Sequence, residues 1–360
     1  MKQRAILVGT VLDRGSIFEE EESLKELARL ADTAGAVVID HLVQKRARPD
    51  ATYFIGKGKL DELAQAAGDS RADLVIFDHS LTPSQASKIQ ERLGCRVVDR
   101  AELIMDIFAL HARTAESKIQ VELAQLQYRF SRLVGAGLEM TDPGAGIGTR
   151  GPGEKQLELD RRKIRQRISR LKQDLKKIEQ QRKVQRKSRA GVFQIALVGY
   201  TNAGKSTLMN LLSKSRVKVE DRLFATLDAT TRAVVLASGE KFLLTDTVGF
   251  IRRLPHLLVA SFRATLEEVN RSDLVLQVVD ASHNLYHKEI SAVEEVLKEI
   301  KAERPELLVF NKTDLLDQST LEELKERFPE AAFISALNGQ GRQELLDLIR
   351  ERMESREPSE

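Results

Sequence analysis

Gly199-Tyr200-Thr201-Asn202-Ala203-Gly204-Lys205-Ser206 lies directly behind an apolar run, Ile195 to Val198, and ahead of a helical run, Thr207 to Leu212. This is the G-x-x-x-x-G-K-[ST] pattern in its strand–loop–helix context. Glycines at both ends let the backbone wrap a phosphate chain with its N–H groups turned inward, at the positive end of the next helix. Lys205 is expected to reach the outer phosphates and the Ser206 hydroxyl to ligate Mg²⁺. The pattern therefore implies a nucleoside triphosphate site.

The residues that follow specify the base. Thr226 lies in a polar stretch, and then come Asp246-Thr247-Val248-Gly249, Asn311-Lys312-Thr313-Asp314, and Ser335-Ala336 with Leu337. The last three strings each follow an apolar strand candidate: Phe242 to Leu244, Leu307 to Phe310 and Ala332 to Ile334. Asp246 is expected to hold Mg²⁺ through a water, and the Gly249 N–H to bond the γ-phosphate. A carboxylate at Asp314 can accept from both N1–H and the 2-amino group of guanine. Adenine lacks that donor pair, so the site discriminates against it. Asn311 and Lys312 brace the base and the phosphate loop. Each string alone occurs by accident; in this order, each at a strand end, they imply a GTPase domain, with an ATPase as the lesser alternative. Thr226 is expected to close on the nucleotide only when the γ-phosphate is present, adding a second hydroxyl to Mg²⁺. Lys205, Thr226 and Gly249 are thus the candidate catalytic groups. Phe250 stands where Ras-type enzymes place a water-orienting glutamine, so intrinsic hydrolysis is expected to be slow. Asn202 matches the position at which potassium-activated GTPases hold K⁺; stiffening of the loop is its other reading.

The chain has 360 residues, enough for two or three domains with a core in each. Its single cysteine, Cys95, excludes a disulfide framework and a cysteine-based zinc site. No segment approaches the roughly 18 apolar residues of a membrane span, and Met1 to Val8 lack a signal-peptide layout. A cytoplasmic protein is expected.

The net charge is only +3, but it is unevenly spread. Arg161, Arg162, Lys163, Arg165, Arg167, Arg170, Lys172, Lys176, Lys177, Arg182, Lys183, Arg186, Lys187 and Arg189 are opposed locally by Asp174 and Glu179 alone. Such asymmetry suits a polyanion, with a solvated helix face as the plain alternative. Apolar residues at Ile119, Leu123, Leu126, Phe130 and Leu133 repeat at four and three, as do Ile164, Ile168, Leu171, Leu175 and Ile178. Each set makes a narrow seam, predicting an antiparallel coiled-coil arm with its charges outward. The loop at its tip, 135–153, runs from Gly135-Ala136-Gly137 through glycines 144, 146, 148, 151 and 153. Bare backbone there can approach another surface closely, and Arg150 and Lys155 add charge. No aromatic residue occurs between Ser131 and Ala190, so backbone and phosphate recognition of a folded RNA fits better than base stacking. A flexible linker is the alternative.

Gly146-Ile-Gly-Thr-Arg-Gly-Pro-Gly-Glu154, Gln156-Leu-Glu158 and Asp160-Arg-Arg162 resemble the signature of the HflX-type GTPases, within the Obg/HflX-like P-loop GTPases. Leu103-Ile104, Ile107-Phe-Ala109, Gln120-Val-Glu-Leu-Ala-Gln-Leu126, Phe224-Ala-Thr-Leu-Asp228, Thr230-Thr-Arg232 and Asp246-Thr-Val-Gly-Phe-Ile251 are similar to the same family. The resemblance runs from about Val8 to the end of the GTPase domain. It implies that Phe224, Ala225, Thr226, Leu227 and Asp228 form a nucleotide-responsive switch. It also implies binding to the large ribosomal subunit, a tip loop reaching towards the peptidyl-transferase centre, and splitting of stalled or idle ribosomes in the GTP state. Gly144, Gly146, Gly148, Arg150, Gly151, Gly153, Lys155, Arg161 and Arg162 are the candidate RNA contacts. Lys155 stands where the family carries threonine, and Ala229 where it carries proline. The chain ends soon after Leu348, so the extra C-terminal domain of some members is not expected. An assembly or RNA-maturation GTPase, and a switch whose arm docks a protein, remain the competing functions.

Residues 1–110 read as a separate α/β unit. Apolar runs at Ala5 to Val8, Ala36 to Ile39, Leu74 to Phe77 and Arg96 to Val98 alternate with helical patterns at Ser23 to Ala34, Lys59 to Ala67 and Ser84 to Leu93. That alternation predicts a mostly parallel sheet. Gly56-Lys57-Gly58-Lys59 reads as a turn before a helix, with a second nucleotide (ATP) site as the lesser alternative. Asp78-His79 reads as a strand-end polar pair. The expected organisation is therefore α/β throughout: an N-terminal parallel domain (1–110), the helical arm (111–190), a P-loop GTPase domain with a mostly parallel sheet flanked by helices (191–352), and a polar tail (353–360).

Overall fold

A computed structural model describes residues 2–12, 16–139, 152–186, 191–213, 223–224, 226–253, 268–302 and 304–355, without the side chains of 134–139, 152–157 and 182–186. The chain divides into two compact units, Met1–Lys177 and Ile178–Glu360.

In the first unit, strands β1 (Arg4–Leu12), β2 (Val37–Arg46), β3 (Leu74–Phe77) and β4 (Arg96–Asp99) form one parallel sheet in the order β2-β1-β3-β4. Helices α1 (Ile17–Thr33), α2 (Lys57–Ser70), α3 (Pro83–Leu93) and α4 (Arg100–His111) connect and cover it. Ile6 and Val8 pack with Leu60, Leu63, Ala86 and Ile89 of α2 and α3 on one face. The alternate residues of β1 turn to α1 on the other, as the period of two requires. β2 is far longer than the predicted Ala36–Ile39 run. It is an edge strand with Asp40, His41 and Lys45 exposed, and these hide it from a hydrophobic reading. Gly56 is the N-cap of α2, its N–H donating to Gln44 Oε1 at 2.8 Å, so the Gly-Lys-Gly-Lys string is a helix start. Thr82 and Gln85 form a reciprocal capping box at α3, with Pro83 in its first turn.

The arm is a hairpin of α5 (Ala115–Glu139) and α6 (Pro152–Arg186). Both helices extend into the segment assigned to the tip: Gly135, Gly137 and Gly153 are helical, which corrects the predicted loop 135–153. In-helix glycine costs only about 1 kcal/mol, less than the continuing helix returns. The antiparallel pairing is explicit. Arg167 forms a bidentate pair with Glu122 at 2.6 and 2.8 Å, and Arg161 Nη2 donates to the Leu133 carbonyl at 2.7 Å. The Arg165 guanidinium lies 5.2 Å over the Phe130 ring. The predicted seam residues are buried or half-buried, Leu123 and Leu171 most fully. The hairpin is not separate from the sheet, because α5 packs on α3 and α4.

Two buried polar centres join these layers. Asp99, at the end of β4, accepts from Glu102 N at 3.0 Å, Leu81 N at 3.1 Å and the Tyr128 hydroxyl at 2.7 Å. Burial, then the adjacent Asp99 charge, raises the Tyr128 phenol above its ordinary range. Arg100, 2 % exposed, pairs with Asp78 and lies 3.1 Å from Glu26.

The second unit holds a six-stranded sheet in the order β10-β9-β8-β5-β7-β6: β5 (Phe193–Gly199), β6 (Thr230–Val235), β7 (Lys241–Asp246), β8 (Leu274–Asp280), β9 (Glu306–Asn311) and β10 (Ala332–Phe333). All pairings are parallel except β6 with β7. Helices α7 (Lys205–Ser213) and α10 (Arg342–Glu354) pack Leu208, Leu212, Leu345 and Ile349 on one face. Helices α8 (Tyr286–Glu299) and α9 (Gln318–Arg327) pack Ile290 and Leu324 with Phe310 on the other.

Replacing Arg100 with methionine leaves Asp78 buried beside an apolar chain. We expect a loss of about 3–5 kcal/mol in the unfolding of the first unit, read by urea denaturation.

Candidate functional site: the nucleotide cleft

The phosphate loop runs from the end of β5 into α7, with Lys205 as the first helical residue. Gly199 has φ 147°, and a Cβ there would collide with the Val278 carbonyl of β8. Gly204 has φ 94°, and a Cβ there would strike the Asn311 carboxamide. Both glycines are required by close approach. Asn202 adopts a left-handed conformation at φ 63°, which asparagine tolerates, and is exposed at the loop's crest.

Asn311 ties the loops together. Its Nδ2 donates to the Ala203 carbonyl at 2.8 Å, and its Oδ1 accepts from Ala336 N at 2.9 Å. Lys312, itself left-handed at φ 65°, extends to Asp280 Oδ2 at 2.6 Å. Asp314 is exposed in the short 3-10 turn Thr313–Leu315, and the Ser335–Ala336 loop ends in Leu337, 83 % exposed. The edge-accepting carboxylate and the uncovered apolar side chains of Leu315 and Leu337 form a rim suited to a planar base.

Lys205 is buried, and its ammonium donates to the Gly199 and Tyr200 carbonyls at 3.0 and 2.8 Å. Burial pushes it down to about 8, against the raising influence of Asp246. Asp246, 2 % exposed, is held above the usual carboxylate range by its burial, against Lys205. Ser206 Oγ lies 2.6 Å from Asp246 Oδ2 and 3.0 Å from Thr226 Oγ1. Asp246 Oδ1 is buried and has no hydrogen-bond partner. Two hydroxyls converging on a buried carboxylate with one oxygen unpartnered fit a hard divalent cation, and Ser206, Thr226 and Asp246 are the residues that would hold Mg²⁺. When bound, it supplies charge neutralisation to the β- and γ-phosphates.

Gly249 sits against the phosphate loop, where a Cβ would press on Thr201 and the Lys205 ammonium. Phe250 is stitched to that loop by its backbone: its N–H donates to Gly199 O at 3.0 Å and its carbonyl accepts from Thr201 N at 2.7 Å. The Tyr200 hydroxyl accepts from Arg252 N, and Thr247 Oγ1 donates to Leu197 O at 2.7 Å. Phe224, Leu227 and Val248 are buried beneath these segments, and Asp228 is half-buried. Thr207 continues the first turn of α7. Ala225 lies outside the described residues. The structure thus brings Thr226, Asp246 and Gly249 to the loop that carries Lys205 and Ser206, with Asn311 joining it to the base rim. The sequence reading missed Asp280, which fixes Lys312, and Val278, which forces Gly199; neither belongs to a nucleotide motif.

Relatives decide the family. The chain is 50% identical over 319 residues to the GTPase HflX of Caldanaerobacter subterraneus subsp. tengcongensis, covering 88% of this chain and 74% of that one. It belongs to the HflX family of GTPases. The Escherichia coli GTPase HflX is 44% identical over 340 residues, with 93% and 80% covered. Residues 21–109 match the family described as GTP-binding GTPase N-terminal, 111–189 the GTP-binding GTPase middle region, and 194–312 the 50S ribosome-binding GTPase family. The crystal structure of SsGBP in complex with GDP shares the fold at a TM-score of 0.51 and 26% identity, covering 98% of both chains. This HflX-family chain is a GTP hydrolase. No described helix is long and apolar enough to cross a membrane.

Of the candidate RNA contacts, Gly144, Gly146, Gly148, Arg150 and Gly151 lie outside the described residues. Gly153 and Lys155 fall in the first turns of α6. Arg162 is exposed, whereas Arg161 is turned inward to the Leu133 carbonyl and serves the hairpin.

Two expectations follow from this geometry. Between pH 8 and 10.5 the folded nucleotide-free protein has lost the Lys205 proton while the unfolded chain keeps it, so stability rises with pH. Relative to Lys205→Met, the gain across that window is about 3 kcal/mol at most, measured by denaturant unfolding at several pH values. Asp314→Asn removes two charge-assisted hydrogen bonds to guanine and weakens GTP by at least about a hundredfold. Xanthine carries an oxygen in place of the 2-amino group, so competition titration should show xanthosine triphosphate gaining.

Proposed function

We propose that this GTPase binds the large ribosomal subunit and, in its GTP state, dissociates or remodels stalled or idle ribosomes. The observation that carries the reading is the hairpin. Its seam is buried or half-buried, while Arg162, Lys163, Arg170, Lys172, Lys176 and Lys177 lie exposed along α6. Such a row of cations matches an RNA backbone. The likeness of residues 194–312 to the 50S ribosome-binding GTPase family supports the same partner.

Thr226 and Gly249 are the groups by which the site would sense the γ-phosphate, since both stand within the cleft that holds Ser206 and Lys205. Phe250 offers no polar group to orient water, and its backbone is committed to the phosphate loop. Hydrolysis is therefore slow in the free protein and accelerates when the ribosome orders the switch. A K⁺ ion held by Asn202 would add positive charge where an arginine finger acts in other GTPases.

Co-sedimentation with ribosomes and separated subunits tests the proposal. In a non-hydrolysable GTP analogue the protein should pellet with the large subunit and deplete intact ribosomes; in GDP it should do neither. Affinity should fall steeply with added salt, as counterion release demands, whereas a protein-docking arm would show a shallow dependence. Deleting 144–153 should abolish dissociation but leave binding and basal hydrolysis, and an assembly factor would dissociate nothing even when intact. Turnover should be faster in KCl than in NaCl at equal ionic strength; equal rates would dismiss the Asn202 ion.

A further inference from the structure

Parallel sheets bind ligands beyond the carboxyl ends of their strands, where the strand order reverses. In the first unit that point lies between β1 and β3, and a cluster of metal-ligating side chains stands there. Glu20, Asp78 and His79 present one ligand atom each, all within 4.8 Å of one another. Glu20 is 3 % exposed and Asp78 1 %, so this is a built interior group rather than a surface patch of acids.

We propose that Glu20, Asp78 and His79 form a binding site for a divalent first-row transition cation, separate from the nucleotide cleft. Mixed imidazole and carboxylate donors suit zinc or cobalt, whose bonds of about 2.0–2.2 Å set tetrahedral ligand atoms roughly 3.5 Å apart. Binding would draw the three ligand atoms together from their present spacing. The surrounding shell already orients the ligands. Glu20 Oε1 accepts from Thr10 N at 2.8 Å and lies 3.8 Å from His79 Nδ1. Asp78 Oδ2 accepts from Ser23 Oγ at 2.8 Å, and Oδ1 pairs with Arg100. The His79 ring packs 5.3 Å from that of Phe54, which limits its rotation. Outer contacts of this kind fix ligand geometry in metal sites.

Thr10 is the independent observation. Its hydroxyl is buried and has no hydrogen-bond partner, on a residue 1 % exposed. Gly9 faces Glu20 and Leu24 of α1, so Thr10 points to the opposite face, with Ile6 and Val8. The β1–β3 register ends at Val8 opposite Phe77, and its continuation sets Thr10 beside His79. An unsatisfied buried hydroxyl on the His79 side of the strand is placed to bond a water held by the ion. Such an ion would clamp the start of α1 to the end of β3.

The test uses the full chain, stripped of transition metals and saturated with GDP and Mg²⁺. Titration with Co²⁺, followed by visible absorption, should reveal one saturable site that Zn²⁺ displaces. His79→Gln and Glu20→Gln should each weaken it at least about tenfold, while His111→Gln and the GDP affinity stay unchanged. His79 lies at the partly exposed rim, so its variant carries the test if Glu20→Gln fails to fold. Absence of a saturable site in the wild type, or wild-type Co²⁺ affinity in His79→Gln, would overturn the assignment and leave the cluster a hydrogen-bond network.

Discussion

The Asn311 carboxamide is the constraint around which the nucleotide cleft is built. One end holds the phosphate loop at Ala203 and the other holds the base loop at Ala336. Two loops separated by most of the domain's sequence are thereby set at a fixed spacing, the span between a nucleotide's phosphates and its base. Gly204 has no side chain because that carboxamide occupies the space a Cβ would need. On the other flank, Gly199 lies on the Val278 carbonyl, so β8 supports the loop from below. Rigidity here has an electrostatic use. The loop keeps Lys205 dry against backbone carbonyls, where its charge is costly until phosphate oxygens arrive to share it.

Switch and loop are joined by backbone as much as by side chains. Phe250 and Gly199–Thr201 exchange two hydrogen bonds, a short parallel bridge that holds the segment after Asp246 on the phosphate loop. Such pairing is indifferent to side-chain identity, so Phe250 is accommodated there without disturbing the bridge.

The cleft was legible in the sequence because its motifs are local: a strand end, a few residues of fixed type, then a helix or turn. Positions that matter by packing across the sheet were not. Asp280 and Val278 belong to β8, the central strand, whose composition reads only as an apolar run. The sheet of the first unit was visible through its period of alternation, yet β2 was cut short because an edge strand tolerates polar residues. Asp78 and His79 looked like a lone polar pair, since Glu20, Ser23 and Arg100 meet them only through folding, across separations of up to 77 residues for the Arg100–Ser23 bond. The hairpin's heptads were plain, and its helices outran their predicted ends because glycine is a weak helix breaker when neighbours continue the seam.

Asp99 bears on how this protein can be divided. Sequence families part the chain between residues 109 and 111, as though the α/β unit and the hairpin were modules to be exchanged. The buried carboxylate of Asp99 is nonetheless completed by a hydroxyl from beyond that border, Tyr128, and α5 covers α3 and α4. A fragment ending at 110 would keep every strand of the sheet and still lack part of its own interior. Recombination among relatives would therefore succeed at the sequence border only if both sides travelled together, making the first unit a single heritable piece despite its two-part appearance.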